Sequence, residues 1–199
     1  LLLDSAGHVR ALSADMLDRL PYDSIRYWAN ARGIYVIPTL ELVDWLHVRL
    51  AGRSAIEVAA GHGSVGRHLG IPLTDSAMQT TLEMRLYYAS LGQPTIDPPA
   101  DVQRLGAIEA VRHHQPQVAL ACFLTQLYQP GDEGDGTKPR IGSSMYGTDE
   151  RVLIGQVQEY IHVGNEAVHG DKRALALDHD TFHFPWLYTR SAHHDKNVI

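Results

Sequence analysis

The sequence predicts an α/β fold with a mostly parallel sheet, and two observations carry this prediction. From residue 54 onward, short apolar runs alternate with helical stretches, a pattern typical of parallel strands joined by helices. The first apolar run breaks into a glycine-rich segment at residues 61–66, as expected where a strand turns sharply beside a ligand. We therefore predict a Rossmann-like domain with helices on both faces at residues 53–199. Residues 1–52 form an N-terminal helical extension packed on its sheet, so that the chain is one globular unit.

The extension reads as three helical segments. Apolar residues at helical spacing indicate a helix from residue 13, with Ser13 as its N-cap, and Pro21 divides it from a second helix up to residue 31. A further helix is predicted at residues 38–50, where Pro38 suits the first turn and Gly52 follows the end.

The remaining elements alternate along the domain. We expect strands at residues 56–60, 71–74, 94–96, 117–124, 160–163, 181–184 and 197–199, and helices at residues 76–91, 105–114, 149–159 and 171–177. The glycine-rich stretch at residues 129–147 predicts a long loop. In such a sheet the ligand site lies at the carboxyl ends of the strands.

The composition excludes several classes of protein. A net charge of −6, from 17 basic and 23 acidic residues, disfavours a large nucleic-acid surface. No apolar run reaches the roughly 18–20 residues that span a membrane, so we expect a cytoplasmic protein with no membrane partner. The oligomeric state is left open, and a homo-oligomer is compatible with the sequence.

Cysteine and histidine usage gives no metal site. Cys122 is the only cysteine, so no internal disulfide is expected and a buried, inert thiol is favoured over a nucleophile. Among the 12 histidines, His179 and His183 are four residues apart on a predicted strand, which would separate their Cα atoms by about 13 Å. We predict no bound metal.

The glycine-rich segment does not fit two common nucleotide-binding patterns. It lacks the Gly-Lys-Ser/Thr ending of phosphate-binding NTPase loops. Gly61, Gly63 and Gly66 superficially match a dinucleotide fingerprint, but that fingerprint has its acidic residue about 20 positions further on. Here Asp75 follows Gly63 by only 12 positions, and a second carboxylate, Glu57, lies inside the first strand.

These residues resemble the class I S-adenosylmethionine-dependent methyltransferases. The first motif of that family runs apolar-acidic-apolar-Gly-x-Gly-x-Gly, and residues 57–63 follow it, with Ala59 where the first glycine usually stands. The acidic residue that ends the family's second strand corresponds to Asp75. The resemblance implies S-adenosylmethionine as cofactor. It implies that Glu57, Gly61 and Gly63 line the methionine portion and that Asp75 holds the ribose hydroxyls.

The resemblance also implies an adenine contact after the third strand, at Asp101 with Val102, or at Asp97 in reserve. The implied cofactor-binding residues are together Glu57, Ala59, Gly61, His62, Gly63, Asp75, Ser76, Asp101 and Val102. One feature departs from the family: only residues 64–69 are available for the first crossover helix, where a dozen or more residues are usual. The pocket should therefore be open there, or covered by the N-terminal helices or the 129–147 loop.

Catalytic residues are less well indicated. The family's nucleic-acid amino-methylating signature after the fourth strand is absent, which disfavours adenine or cytosine N-methylation. Thr125 and Tyr128 follow the predicted fourth strand and His162 lies in the fifth, which makes them candidates for lining a substrate pocket or acting as general base. The leading hypothesis is a methyltransferase with an unidentified acceptor. The alternatives are a catalytically inactive cofactor-binding module on the same fold and an NAD(P)-dependent oxidoreductase.

Overall fold

The computed structural model describes residues 2–129 and 143–199. The α-helices are α1 (Ala14–Asp18), α2 (Tyr22–Asn30), α3 (Leu40–Leu50), α4 (Gly66–Leu69), α5 (Leu82–Ser90), α6 (Ala107–His114), α7 (Glu150–Ile154) and α8 (Glu166–His169). The strands are β1 (Val36–Ile37), β2 (Ala55–Val58), β3 (Leu73–Asp75), β4 (Val102–Arg104), β5 (Val118–Cys122), β6 (Gln126–Leu127), β7 (Ser143–Ser144), β8 (Glu159–Asn165), β9 (Tyr188–Thr189) and β10 (Asn197–Val198). Short 3-10 helices occur at Met78–Thr80, Arg173–Ala176 and His194–Lys196.

A six-stranded sheet in the order β10-β8-β5-β2-β3-β4 forms the centre of the molecule. All neighbouring pairs are parallel except β8 and β10, which are antiparallel. The α/β prediction is therefore confirmed. From β2 the chain first adds strands on one side and then returns to add β5 on the other. Since the strand order reverses there, the carboxyl ends of β2 and β5 border a crevice of the kind that binds ligands in open α/β sheets.

Apolar layers cover both faces of this sheet. Along β5 the side chains alternate: Val118 and Leu120 pack in one cluster with Leu46 of α3, whereas Ala119 packs in another with Ala110 of α6. Alternation with a period of two is the geometry of a strand that is buried on both sides. The extension helix α3 thus supplies the cover of one face, and α6 supplies that of the other.

The helices of the extension begin at polar caps. Ser13 accepts a hydrogen bond from the Met16 N–H at 3.3 Å, which confirms it as the N-cap of α1. The N-cap of α3 is Thr39, which accepts from the Leu42 N–H at 3.0 Å. Pro38 therefore precedes the cap, and the predicted start at residue 38 was two residues early. The extension is tied to the far end of the chain by the antiparallel pairing of β1 with β9.

Two predicted strands are absent from the described part of the structure. The third parallel strand is β4, and the strand predicted at residues 94–96 is wrong, because that segment is irregular and Ile96 packs beside Gly61. The strand predicted at residues 181–184 is also wrong, and the pairing strand of this region is β9. Residues 130–142 of the predicted loop lie outside the described residues, but Ser143–Ser144 forms β7 beside β6.

The later helices are shorter than predicted. Helix α5 begins only after the 3-10 turn, at the N-cap Thr81, and α7 ends at Ile154, where Gly155 is the C-cap. A 3-10 helix at Arg173–Ala176 replaces the helix predicted at residues 171–177. Within residues 2–129 and 143–199, no helix has both the length and the apolar character needed to cross a bilayer.

Candidate functional site

A cleft of about 500 Å³ opens at the carboxyl ends of the central strands. Its floor comes from the residues that follow β2, β3 and β5, and its walls come from residues 33–36 of the extension and residues 146–149. The cleft therefore lies at the point where the strand order reverses, which is where the topology predicts a ligand.

Glu57 holds the glycine segment from below the cleft. Its side chain is only 1% exposed, and its Oε2 accepts a hydrogen bond from the Gly66 N–H at 2.8 Å. Burial raises the pKa of Glu57 to about 7, although the Gly66 N–H opposes that rise. A Cβ at position 66 would lie 2.6 Å from Glu57 Oε2, so this close approach requires glycine. Glu57 thus fixes the loop and does not itself line the cleft.

Asp75 lies at the carboxyl end of β3 and faces the cleft. Its Oδ2 accepts from the Gly61 N–H at 2.9 Å, and its Oδ1 accepts from the Ala77 N–H at 2.7 Å. Two carboxylate oxygens have about four acceptor positions, so each keeps capacity for one further donor. Asp75 can therefore hold two neighbouring hydroxyl groups while the loop keeps it in place.

Two residues other than glycine adopt left-handed backbone conformations at the ends of the central strands. Ala59, after β2, has φ of 49°, and Phe123, after β5, has φ of 58°. Such a conformation costs an L-residue about 1–2 kcal/mol and persists where the surrounding structure imposes it. Ala59 stands where the methyltransferase motif usually has glycine, and its φ is one that glycine adopts without this cost.

The walls of the cleft are aromatic. Tyr35, Tyr88 and Phe123 line it, with the rings of Tyr35 and Phe123 5.8 Å apart. The Arg190 guanidinium lies 3.7 Å from the centre of the Tyr35 ring, on which it stacks. Burial, together with the neighbouring Tyr35, raises the pKa of Tyr88, which keeps its hydroxyl protonated. Such walls suit a planar, largely apolar group.

The first crossover is short, as the sequence predicts. Helix α4 has four residues. Residues 33–36 of the extension and residues 146–149 line the cleft, and Tyr146 donates a hydrogen bond from its hydroxyl to Glu83 at the start of α5.

Several predicted cofactor-binding residues meet at the cleft, and others do not. The predicted residues that line it are Ala59, Gly61, His62, Asp75, Ser76 and Thr125. Gly63 belongs to the loop and packs against Leu73, since a Cβ at this position would come within 2.5 Å of the Leu73 side chain. Glu57 and Gly63 thus shape the site without lining it.

The adenine contact expected at Asp101 is not supported. Asp101 precedes β4 instead of following the third strand, and its carboxylate pairs with Arg67 at 2.9 and 3.0 Å. Val102 is buried within β4, at 5% exposure. The reserve candidate, Asp97, lies 3.9 Å from Arg104 in an exposed ion pair. The segment that follows the third strand and lines the cleft is residues 106–109.

Two of the three catalytic candidates lie outside the cleft lining. Tyr128 is 39% exposed. His162 lines a different cavity, and its Nε2 is 2.9 Å from Lys172 Nζ. Desolvation and the neighbouring Lys172 hold the pKa of His162 well below its usual range, so its ring is neutral at physiological pH. Thr125 alone of these candidates reaches the cleft.

A buried ionic group behind the cleft was not anticipated from the sequence. Lys172 donates to Glu150 Oε1 at 2.8 Å, and the Tyr160 hydroxyl donates to the same oxygen at 2.6 Å. Glu150 and Lys172 are 4% and 6% exposed. Because the two residues are 22 positions apart and belong to separate elements, no local spacing pattern signals the pair.

The thiol of Cys122 is not activated. Burial and the adjacent Glu57 carboxylate, with which it shares a hydrogen bond, raise the pKa of Cys122 well above its usual range. The expectation of an inert thiol fits this environment.

The charge of the cleft has one sign. The ionised side chains that line it are Asp75, Glu109 and Asp149, and no lysine or arginine lines it in the described part of the chain. Across residues 2–129 and 143–199, no group of three histidine, cysteine or acidic side chains is placed to hold a metal ion. The cleft thus offers acceptors and aromatic surface to a ligand that carries positive charge.

Comparison of the chain with protein-family models, with curated proteins and with solved structures finds no match.

Proposed function

We propose that the protein binds S-adenosylmethionine in this cleft and transfers its methyl group to an acceptor molecule. The observation that carries the proposal is Asp75, a carboxylate at the carboxyl end of β3 that lines the cleft and contacts Gly61 of the loop after β2. A carboxylate in this position suits the two ribose hydroxyls of a nucleoside.

Electrostatics favour this cofactor over a dinucleotide. S-adenosylmethionine carries a sulfonium and an ammonium group, and the ionised side chains of the described lining are all carboxylates. A dinucleotide needs donors for its pyrophosphate, usually at the N-terminus of the first helix. Here that helix has four residues, and the N–H of its first residue, Gly66, is already taken by Glu57. An oxidoreductase is therefore the weakest of the three hypotheses.

The chain's own contribution is to position the reactants and exclude water. When bound, S-adenosylmethionine supplies an electrophilic methyl group. Asp75 would orient the ribose, and the Tyr35, Tyr88 and Phe123 rings would enclose the apolar part of the ligand. Thr125, which follows β5 and lines the cleft, would orient an acceptor. Holding two reactants in line supplies most of the acceleration in such a displacement.

A catalytically inactive binding module is the second candidate. It is favoured by the location of His162 and Tyr128 outside the lining, which leaves Thr125 as the one catalytic candidate in the cleft. A threonine hydroxyl is a poor base, so an acceptor that must lose a proton would find little assistance there.

Calorimetric titration with S-adenosylhomocysteine and with NADH tests the proposal. We expect S-adenosylhomocysteine to bind and Asp75→Ala to weaken it about tenfold to a hundredfold, through loss of charge-assisted hydrogen bonds. Asp44→Ala, an exposed aspartate on α3, is the matched control and should bind normally. Thermal melting checks that both variants fold.

Binding of NADH with no binding of S-adenosylhomocysteine would overturn the proposal. Transfer of a labelled methyl group from the cofactor to a cell extract then separates the enzyme from the module. Tight cofactor binding without any transfer would favour the module.

A further inference from the structure

A second cavity, of about 640 Å³, adjoins the cofactor cleft. The two share Leu127, Thr148 and Asp149 in their walls. Gln126 forms a parallel bridge with Thr148, which brings strand β6 beside the start of α7. Because of this pairing, the side chains of Gln126 and Glu150 line the same cavity.

Gln126 offers this cavity an unused donor. It is 4% exposed, and its Oε1 accepts from the Arg173 N–H at 3.0 Å. That bond fixes the orientation of the amide, since the flipped amide would point a donor at a donor. The Nε2 group is then left without a hydrogen-bond partner among the described residues.

Glu150 offers an unused acceptor. Its Oε1 takes both available donors, the Tyr160 hydroxyl and the Lys172 ammonium, and its Oε2 has no hydrogen-bond partner within the described ranges. Buried polar atoms are almost always paired, by protein or by ordered water. A buried donor and a buried acceptor left unpaired in the wall of one cavity therefore indicate a missing polar partner.

We propose that this cavity binds a small molecule through an amide edge. The carbonyl oxygen of the ligand accepts from Gln126 Nε2, and its N–H donates to Glu150 Oε2. Both unpaired atoms have almost no accessible surface. The ligand therefore reaches them through a small movement of each side chain about the oxygen that already accepts from Arg173 or from Tyr160 and Lys172. A volume of this size is typical of small-molecule sites.

The amide site does not depend on the identity of the cofactor. Where the proposed function holds, a second step follows: the shared walls place the amide-bearing molecule beside the methyl donor. That second step rests on the proposed function, whereas binding itself does not.

Titrations with three matched probes, monitored by ligand-detected NMR, test the site in the absence of any S-adenosyl compound. Benzamide has both the donor and the acceptor, acetophenone lacks the donor, and benzoate replaces the donor with a second acceptor. We expect benzamide to bind at least about tenfold more tightly than the other two, because each of them leaves Glu150 Oε2 unpaired.

Substitutions at Gln126 assign the contact. Gln126→Met keeps the volume and removes the donor, so it should weaken benzamide about tenfold. Gln126→Glu keeps an acceptor for the Arg173 N–H but replaces the free N–H donor with a free carboxylate acceptor. It should therefore shift the preference from benzamide to benzamidinium, which offers donors only. Gln103→Met, an exposed glutamine on β4, is the matched control. Circular dichroism verifies folding.

The proposal is overturned if benzamide does not bind at millimolar concentration, if benzoate or acetophenone binds as tightly, or if neither Gln126 variant alters the affinity for benzamide. Because these titrations omit the cofactor, their failure is distinguishable from failure of the calorimetric test on the cleft.

Discussion

The charge state of Glu57 affects the stability of the fold around the site, because its carboxyl group is buried beside the glycine segment. A carboxylate buried at 1% exposure with one backbone donor and one thiol beside it is poorly stabilised as an anion. Its pKa of about 7, against an ordinary value of 4.5, means that between these two pH values the folded protein holds a proton there that the unfolded chain has released. Between these two values the stability of the protein therefore falls as the pH rises.

Replacing Glu57 by glutamine should remove this dependence. The stabilising contribution of the protonated carboxyl is complete below pH 4.5 and is lost as the pH rises through 7. Relative to wild type, Glu57→Gln should therefore be more stable at pH 8.5 than at pH 5 by up to about 3 kcal/mol. Urea unfolding of both proteins at the two pH values measures the difference, in which the effects of the other titrating groups cancel. An equal difference at both values would contradict the assignment.

The backbone of Ala59 gives a second prediction at this scale. Since its φ is 49°, Ala59→Gly should relieve strain and stabilise the protein by about 1 kcal/mol. Ala60→Gly, at the next residue with an ordinary φ, should destabilise it through added flexibility of the unfolded chain. Chemical unfolding midpoints compare the two. Destabilisation of equal size by both variants would show that the left-handed conformation carries no strain.

At the scale of elements, a buried ion pair joins α7 to the segment before the 3-10 helix. Glu150 belongs to α7, Lys172 caps the 3-10 helix, and Tyr160 of β8 donates to the same carboxylate oxygen. Burial lowers the pKa of Lys172, while the Glu150 carboxylate opposes that shift. Each charge therefore depends on the other for its place in the interior.

Breaking this pair from either side should be costly. Lys172→Met or Glu150→Gln leaves one buried charge without its partner. Either substitution should therefore lower the free energy of unfolding by about 3–5 kcal/mol. The double variant has no unpaired charge, so its loss should be smaller than the sum of the single losses by at least about 2 kcal/mol. Urea unfolding of the four proteins completes the cycle. Additive losses would show that the two side chains do not stabilise each other.

Elements with strong local patterns could be predicted from the sequence, and elements that depend on distant contacts could not. Strand β5 is a continuous apolar run, and α1 has Ser13 as a cap, so both were recognised. The edge strand β4 was missed because Gln103 and Arg104 are exposed, which gives it no apolar signal. The apolar Ile96 was assigned to a strand, but it packs beside Gly33 and Gly61.

The same distinction applies to the site. Asp75 ends one buried strand and Gly61 follows another, so their convergence could be predicted from topology. Asp101 was expected to follow the third strand, but that strand is β4, which begins directly after Asp101. The pairing of Gln126 with Thr148 joins residues 22 positions apart across the 129–147 stretch, and no spacing rule indicates it.

At the scale of the whole molecule, the two ends of the chain are joined. Tyr22 of α2 donates from its hydroxyl to the Ser191 carbonyl at 2.6 Å, across 169 positions. Tyr188 packs in one apolar cluster with Leu17 and Ile25 of the extension. The extension therefore contributes both to the core and to the wall of the cleft.

Removing the Tyr22 hydroxyl should weaken this junction. Tyr22→Phe leaves the Ser191 carbonyl without its donor and should lower the free energy of unfolding by about 1 kcal/mol. Tyr27→Phe on the same helix, at a position that is 63% exposed, is the control and should have little effect. Denaturant titration gives both values. Equal stability of Tyr22→Phe and wild type would mean that solvent replaces the bond at no cost.

The pairing of β1 with β9 also bears on how the cleft is assembled during synthesis. Tyr35 borders β1 and carries the stacked Arg190, which borders β9. A nascent chain that has emerged only as far as β8 can build the parallel strands, but it lacks the partner that holds this wall. Contacts between residues so distant in sequence close late, since the entropy of a long loop must be lost first. The ribosome-bound chain would thus acquire the parallel strands of its sheet before the Tyr35 wall of the cleft, and the cleft would be enclosed only after β9 has docked.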